Sequence, residues 1–311
     1  MTHDRPVLGI VLMIGFCLTI PFSDAFAKLA GASLPLAVLI LARMLAQGAA
    51  MTALARAQGV SLRLTRRAFW LTVIRSVLNL VGLAAIFGSF RFLPLADAIA
   101  IAYVMPFILF FLGHYFMGEV VGWRRVVAAL FGFVGTVLVI QPSFAAVGLA
   151  ALLPVVGAFA FAVFILVTRV LAQEANATAL QAVSGWVSIA MMVPLMGLGS
   201  ALSIYDLTFV WPQGAGWAYL AGIGFFGTVA HLLMVQSLAH APSSTVAPIQ
   251  YLEIPMAALV SWWIFREFPN GLALLGIGII LCAGLYILWR ERAVMLMEAR
   301  PEADQVRWVA K

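Results

Sequence analysis

From Val126 to Thr168 the chain carries no charged residue and is almost wholly apolar. A run of that kind is too long for one helix of a globular core. In a bilayer, where about 30 Å of hydrocarbon takes roughly 20 residues per helix, it fits as two spans. Gln141-Pro142-Ser143 is the expected break between them, because proline opposes helix continuation and polar turn residues belong at an interface. Similar runs fill the rest of the chain. Charged residues make up only 10% of the 311 residues, whereas a soluble domain carries about a quarter, so a water-soluble fold is excluded. The runs are continuous rather than alternating, which selects helices over a barrel.

Apolar runs bounded by charges and turn residues predict spans near 7–27, 34–55, 68–90, 95–116, 123–141, 149–171, 179–200, 214–237, 243–265 and 270–289. The expected fold is an all-α integral membrane protein of ten transmembrane helices. Thirteen of the eighteen basic residues then fall on one side of the membrane, among them Arg63, Arg66, Arg67, Arg124, Arg125 and five in the C-terminal segment. Only Lys28, Arg91 and Arg266 fall on the other side, so the charge bias places both termini in the cytoplasm of a cell with an inner membrane. Arg5, the apolar run to Phe22 and Ala25-Phe26-Ala27 imitate a secretory signal. The apolar run is long for a signal, and Asp24 and Lys28 follow at helical spacing, so a retained first span is expected. The net charge of +6 is explained by these flanks and carries no indication of nucleic acid. Cys17 and Cys282 lie inside apolar runs without metal-ligand spacing and read as small core residues.

Pro94, Pro106 and Glu119 recur as Pro242, Pro255 and Glu267, with 25 residues from first proline to glutamate in both copies. Each copy continues into a glycine-bearing span, with Gly132 and Gly135 in one and Gly276, Gly278 and Gly284 in the other. The offset near 148 divides the chain into five spans and five spans. An odd number per half sets the copies in opposite orientations, an architecture of transporters. The expected division is residues 1–143 and 147–292 as two inverted five-helix repeats, with 293–311 a cytoplasmic tail. Glu119 and Glu267 read as carboxylates at the N-termini of the helices that follow, and the glycines as close-packing positions.

The paired five-span halves, Pro94-Leu95-Ala96-Asp97, Pro106 and Met117-Gly118-Glu119 resemble EamA-type carriers of the drug/metabolite transporter superfamily. The second half repeats the pattern with Pro255 and Phe265-Arg266-Glu267, where Arg266 replaces the glycine common in the family. Asp24, Lys28, Arg43, Arg75 and Tyr251-Leu252-Glu253 resemble a subgroup described as uptake carriers for S-adenosylmethionine or riboflavin. The resemblance implies two inverted halves around a central cavity that opens alternately to each side.

A charge within the bilayer costs about 2.5–3.5 kcal/mol on insertion scales, so ionisable residues inside spans are candidates for function. Asp24, Asp97 and Glu253 balance Lys28, Arg43 and Arg75, which predicts one electrically neutral polar interior. Asp24 and Lys28 are four apart and could neutralise each other, contact substrate or, for Asp24, exchange a proton. Lys28 could also snorkel to the outer interface. Arg43 must face a carboxylate, carbonyl oxygens, water or an anionic group. Arg75 is as well suited to a cytoplasmic anchor as to substrate, with Asn79 one turn on along its face. Glu253 is the strongest single candidate: it stands two residues before Pro255, which frees a carbonyl near Tyr251, in a helix that also carries Gln250. Tyr103, His231 and Gln236 rank below it, and Trp186, Trp262 and Trp263 read as lipid or packing contacts.

No phosphate-binding loop, zinc-protease motif or Cys/His cluster occurs, so ATP-driven transport and zinc hydrolysis lack their usual residues and no cofactor is expected. The reading is a secondary transporter of a small polar or amphipathic metabolite, such as S-adenosylmethionine, riboflavin or an amino acid. An intramembrane enzyme and a channel are the alternatives. Substrate and lipid are the expected partners, and the protein is expected to be a monomer or homodimer.

Overall fold

The computed structural model describes residues 6–105, 107–108, 111–112, 115, 123–171, 174–240, 249–286 and 289. Pro106, Met117-Gly118-Glu119, Pro242, Ser243–Thr245 and the tail from 293 lie outside the described residues. The described residues form helices and connecting turns. These are α1 (Pro6–Gly31), α2 (Leu36–Ala57), α3 (Arg66–Ser89), α4 (Leu95–Ala102), α5 (Trp123–Val147), α6 (Leu153–Leu171), α7 (Ala177–Ala201), α8 (Gly216–His240), α9 (Glu253–Val260) and α10 (Gly271–Tyr286). By length and hydropathy, six helical stretches can cross a membrane, and α9 with its continuation and α10 are shorter apolar helices.

Helix starts follow side-chain chemistry. The Thr65 hydroxyl accepts from the N–H of Ala68 at the start of α3, and Asn176 accepts from Thr178 and Ala179 at the start of α7. Proline precedes α2 and α4 at Pro35 and Pro94. One boundary differs from the expected one. α5 runs through Gln141-Pro142-Ser143 and stops only where Val147 leaves helical geometry and Gly148 takes φ +63°, followed by a 3-10 turn over Gly148–Leu152. Proline removes one hydrogen bond, but in lipid the remaining backbone groups have no water to turn to, so the helix continues to the first glycine able to adopt the left-handed conformation.

The surface is the reverse of a soluble protein's. Phe131, Phe133, Leu149, Phe225 and Trp263 are exposed, while Arg75, Ser76 and Ser188 are buried. Lipid is the solvent such a surface suits, and the chain is a multi-pass membrane protein. Cys17 is buried as expected, whereas Cys282 is exposed on α10 and takes no part in the core.

Helices pair across the sequence rather than along it. α1 packs chiefly on α8, α2 on α7 and α3 on α6, and α4 packs on α9. Glycines set two of the close approaches. A Cβ at Gly185 would stand 2.7 Å from the Cα of Gly48, where α7 crosses α2, and one at Gly135 would stand 2.8 Å from the carbonyl oxygen of Gly276, where α5 meets α10. Gly132 and Gly284 make room for the rings of Phe107 and Tyr251, but none of the described residues packs on Gly278. α4 is interrupted by a turn at 103–104, and the helix containing Gln250 by a turn at 251–252, two breaks 148 residues apart.

Ion pairs mark the two ends of the bundle. Arg91 donates to Asp206 at 2.6 Å and to the Leu34 carbonyl at one end of α3, and Arg67 pairs with Glu174 at 3.0 Å at the other. Lys28 belongs to the Arg91 end, since it donates to the Leu93 carbonyl at 3.2 Å.

Candidate functional site

The six intramembrane charges do not share one interior. The structure distributes them into three sets between the two ends of the bundle, and each set has a different degree of hydrogen-bond saturation.

Arg75 is at the Arg67 end and is 2% exposed. Its Nε donates to Thr168 Oγ1 at 2.8 Å, one Nη to Gln181 Oε1 at 2.8 Å and the other to Ser184 Oγ, while the Phe164 ring lies 4.4 Å from the guanidinium carbon. No carboxylate is within ion-pair distance of it among the described residues. Each guanidinium nitrogen has a neutral acceptor, so Arg75 ties α3 to α6 and α7. Gln181, Ser184 and Ser188, at three- and four-residue spacing on otherwise apolar α7, are the sequence signal for this polar seam. Asn79, one turn on, donates to the Met44 sulfur at 3.6 Å, a weak acceptor.

At the other end, Lys28 does not pair with Asp24. Its ammonium donates to Glu267 and to the Leu93 carbonyl, with the Phe265 ring 4.7 Å away. Its side chain is only 12% exposed, so it does not snorkel. Glu267 is therefore an ion-pair partner rather than a helix cap, and Asn270 caps α10 by accepting from the N–H of Ala273 at 2.9 Å. Asp97 is buried at the start of α4, close enough to Lys28 and Glu267 to interact electrostatically, and its Oδ1 has no hydrogen-bond partner among the described residues. We predict a double-mutant coupling of about 1–2 kcal/mol for Lys28 and Glu267, a value between exposed and buried pairs. Thermal unfolding of K28E, E267K and the charge-swapped double variant in detergent measures it, and additive losses would show the pair contributes nothing.

The central set is built from α1, α2, α4, α8 and α9. Asp24 on α1 is 8% exposed and Arg43 on α2 is 6% exposed, and the two act on each other electrostatically. One Nη of Arg43 donates to Ser23 Oγ at 2.9 Å, and Ser23 donates to the Ile223 carbonyl at 3.2 Å. The guanidinium occupies space on α8 that only glycine leaves open, since a Cβ at Gly227 would stand 2.5 Å from Nη1. Ser23 is this guanidinium's one hydrogen-bond partner among the described residues, and the Asp24 carboxylate receives no hydrogen bond from them. On α8, Thr228 Oγ1 and His231 Nδ1 are buried without hydrogen-bond partners among the described residues, one and four residues beyond Gly227.

Across from them, Tyr103 at the break in α4 reaches the break before α9. Its hydroxyl is 2.6 Å from the Gln250 carbonyl oxygen and 2.9 Å from Glu253 Oε2, and its ring is 5.3 Å from that of Tyr251. The carbonyl is available because the Ile254 N–H donates to Tyr251 instead, at 3.2 Å. Sequence reasoning located the freed carbonyl near Tyr251; the one engaged is that of Gln250. The Cys17 thiol donates to the Ile249 carbonyl at 3.2 Å, which fixes α1 to the same break. Asp24 acts electrostatically on Glu253, linking the two sides. Phe22, Phe26 and Phe226 stack along this region, with centroids 5.5 and 5.6 Å apart. Gln236 offers its backbone carbonyl to His240, Trp186 donates to Thr52 at 2.9 Å, and Trp262 and Trp263 are exposed.

Of the site residues expected from sequence, the structure brings Asp24, Arg43, Tyr103, His231 and Glu253 together. Sequence reasoning missed Ser23, Gly227 and the phenylalanine stack, whose roles depend on helix pairing.

A broad apolar hollow of about 430 Å³ between α2 and α8, lined by Leu41, Leu45, Phe209, Trp217 and Phe225, contains none of these residues.

Comparison with known proteins bears on what such a site serves. The EamA-like transporter family matches the chain twice, over residues 7–141 and 148–289. A riboflavin transporter of Rhizobium johnstonii is 31% identical over 232 residues, 75% of this chain and 73% of that one. An S-adenosylmethionine uptake transporter of Rickettsia bellii is 26% identical over 72% of this chain and 74% of that one. A pseudopaline exporter of Pseudomonas aeruginosa is 24% identical over 94% of this chain and 99% of that one. A solved crystal structure shares the fold with TM-score 0.61 at 20% identity, covering 92% of this chain and 98% of that chain. Two family matches that together span nearly the whole chain settle the point: the chain belongs to the EamA-like transporter family, and it is a membrane transporter for a small metabolite rather than an enzyme.

Proposed function

We propose that the chain is a secondary active carrier that moves a small polar or amphipathic metabolite across the inner membrane by alternating access. In this reading ten membrane helices form two inverted five-helix repeats, with both termini in the cytoplasm. The pairing of helices supports it. Exchanging each helix with the one five positions along turns the α1–α8 contact into α6–α3 and leaves α2–α7, α4–α9 and α5–α10 in place. The breaks at 103–104 and 251–252 fall at the same offset as the proline repeat, near the middle of the bundle where interrupted helices expose backbone to a solute. Lys28, Arg91 and Glu267 at one end and Arg67 at the other follow the sides assigned from charge bias.

The observation that carries the site is a contrast in saturation. Arg75 is satisfied at every nitrogen, whereas Arg43 and Asp24, also buried, keep guanidinium N–H groups and carboxylate oxygens for which the described residues supply no partner. Groups of that kind at such depth are expensive unless water or a ligand meets them. With His231 beside them on α8 and Glu253 and Tyr103 opposite, the set suits a solute with both anionic and cationic or hydrogen-bonding groups. The adjacent phenylalanines suit a flat ring system. Riboflavin and S-adenosylmethionine are the solutes that the relatives suggest. Lys28 and Asp97 lie on the outer path to this set, and Arg75 and Asn79 on the inner side of it.

Counterflow in proteoliposomes tests the reading. Purified protein with unlabelled solute inside should accelerate saturable uptake of labelled riboflavin or S-adenosylmethionine. No trans-stimulation by these two or by the common amino acids would overturn it, and flux that does not saturate would favour a channel.

A further inference from the structure

The Tyr103 hydroxyl has one hydrogen and two oxygens within reach, the Gln250 carbonyl at 2.6 Å and Glu253 Oε2 at 2.9 Å. If the hydroxyl donates to Gln250, an ionised Glu253 would set carboxylate lone pairs against phenol lone pairs at 2.9 Å. If it donates to Glu253, two acceptors face each other at 2.6 Å instead. A backbone carbonyl cannot supply a hydrogen. Each contact has a hydrogen of its own when the second proton is on the carboxyl group: Tyr103 O–H then donates to Gln250, and Glu253 O–H donates to Tyr103.

The surroundings agree with a neutral carboxyl. α1 and α4 are packed against α9. From α1, Asp24 is a second acid, Cys17 gives its thiol hydrogen to Ile249, and Lys28 is engaged by Glu267 at the outer end. From α4, Tyr103 is the near group and Asp97 lies at the outer end. Arg43, on α2, is the cation that faces Asp24, and His231 is buried on α8. Asp24 faces the Arg43 guanidinium, which leaves Glu253 as the acid of this set with no cation in ion-pair contact among the described residues.

The geometry points to Glu253 as the carrier of a transported proton, held in this conformation by the Tyr103–Gln250 hydrogen bond that joins the broken helices α4 and α9. This rests on the carrier reading above and adds the proton as its co-substrate. The step balances simply. When α4 and α9 separate at their breaks, the Tyr103 O–H turns from Gln250 to Glu253 Oε2, the carboxyl proton passes to water, and the electron pair stays on the carboxylate. Re-formation of the Tyr103–Gln250 bond requires the proton back. Protonation and the closure of α4 on α9 are thus linked events.

Infrared difference spectroscopy of the purified protein in lipid nanodiscs at neutral pH, in H2O and D2O, tests the proton without any solute. Wild type and Asp24→Asn should both show the C=O stretch of a protonated carboxyl, Glu253→Gln should lose it, and Tyr103→Phe, which removes the acceptor, should shift it. Absence of the band from wild type, its persistence in Glu253→Gln, or its loss in Asp24→Asn with retention in Glu253→Gln would overturn the assignment. Tyr103→Phe keeps the test decisive should Glu253→Gln fail to fold, because an unmoved band would refute the contact. Counterflow of riboflavin and S-adenosylmethionine run on the same preparations separates the two readings: exchange without the band removes the proton and leaves the carrier, whereas the band without exchange removes the carrier and leaves the protonated Glu253.

Discussion

Glu253→Gln should lower solute flux about 10- to 100-fold while the folded yield and the thermal midpoint stay close to wild type. The magnitude is that of one hydrogen bond to a charged group, about 1.5–3 kcal/mol, converted to a rate or affinity ratio. Stability is expected to persist because glutamine keeps the shape of the side chain and an N–H that can donate to Tyr103, as the neutral carboxyl does at 2.9 Å. What glutamine lacks is an anionic form, so it can neither release a proton nor hold a cation. Initial uptake rates in proteoliposomes, alongside size-exclusion profiles, measure both halves of the prediction. Aggregation with loss of yield would instead make Glu253 a structural residue of the α4–α9 contact.

Arg75→Ala should do the opposite, removing stability. Its loss would strand Gln181 Oε1 and Ser184 Oγ in a buried seam and open a void beside Phe164. Stranding buried polar partners costs about 1–3 kcal/mol each, which gives a total near 3 kcal/mol once partial relaxation is allowed. Lysine should not rescue it, because a single ammonium cannot reach Thr168, Gln181 and Ser184 from the directions a planar fork reaches. Thermal unfolding in detergent reads the loss. A midpoint unchanged in Arg75→Ala, with transport abolished, would move Arg75 from the seam to the substrate path.

The contrast between these two residues shows what was legible in the sequence. The class of fold follows from hydrocarbon thickness and charge placement, and the expected helices agree with the observed ones to within a few residues over most of the described chain. The break after α5 was misjudged because proline is a local signal, while a helix in lipid ends where backbone geometry lets its last carbonyls be satisfied. For the site, cost of burial identifies which residues need an explanation but not what explanation each receives. Arg43 and Arg75 are alike in sequence: one cation in an apolar run. They differ because α7 brings Gln181 and Ser184 to Arg75, whereas α8 brings Gly227 to Arg43, so one guanidinium is surrounded by acceptors and the other packs on a glycine with Ser23 as its one hydrogen-bond partner among the described residues. Lys28 shows the same limit. Its sequence neighbour Asp24 was the obvious partner, but the ammonium instead meets Glu267, 239 residues away.

Helices α1, α2 and α3 find their main neighbours in α8, α7 and α6. They therefore leave the ribosome, and enter the bilayer, long before those neighbours exist. Until α6 and α7 are synthesised, the Arg75 fork has none of its three acceptors. The early chain must wait in the membrane with that side chain held by lipid headgroups, by water or by the insertion machinery. Biogenesis of this protein thus has a vulnerable interval that ends only when its second half arrives.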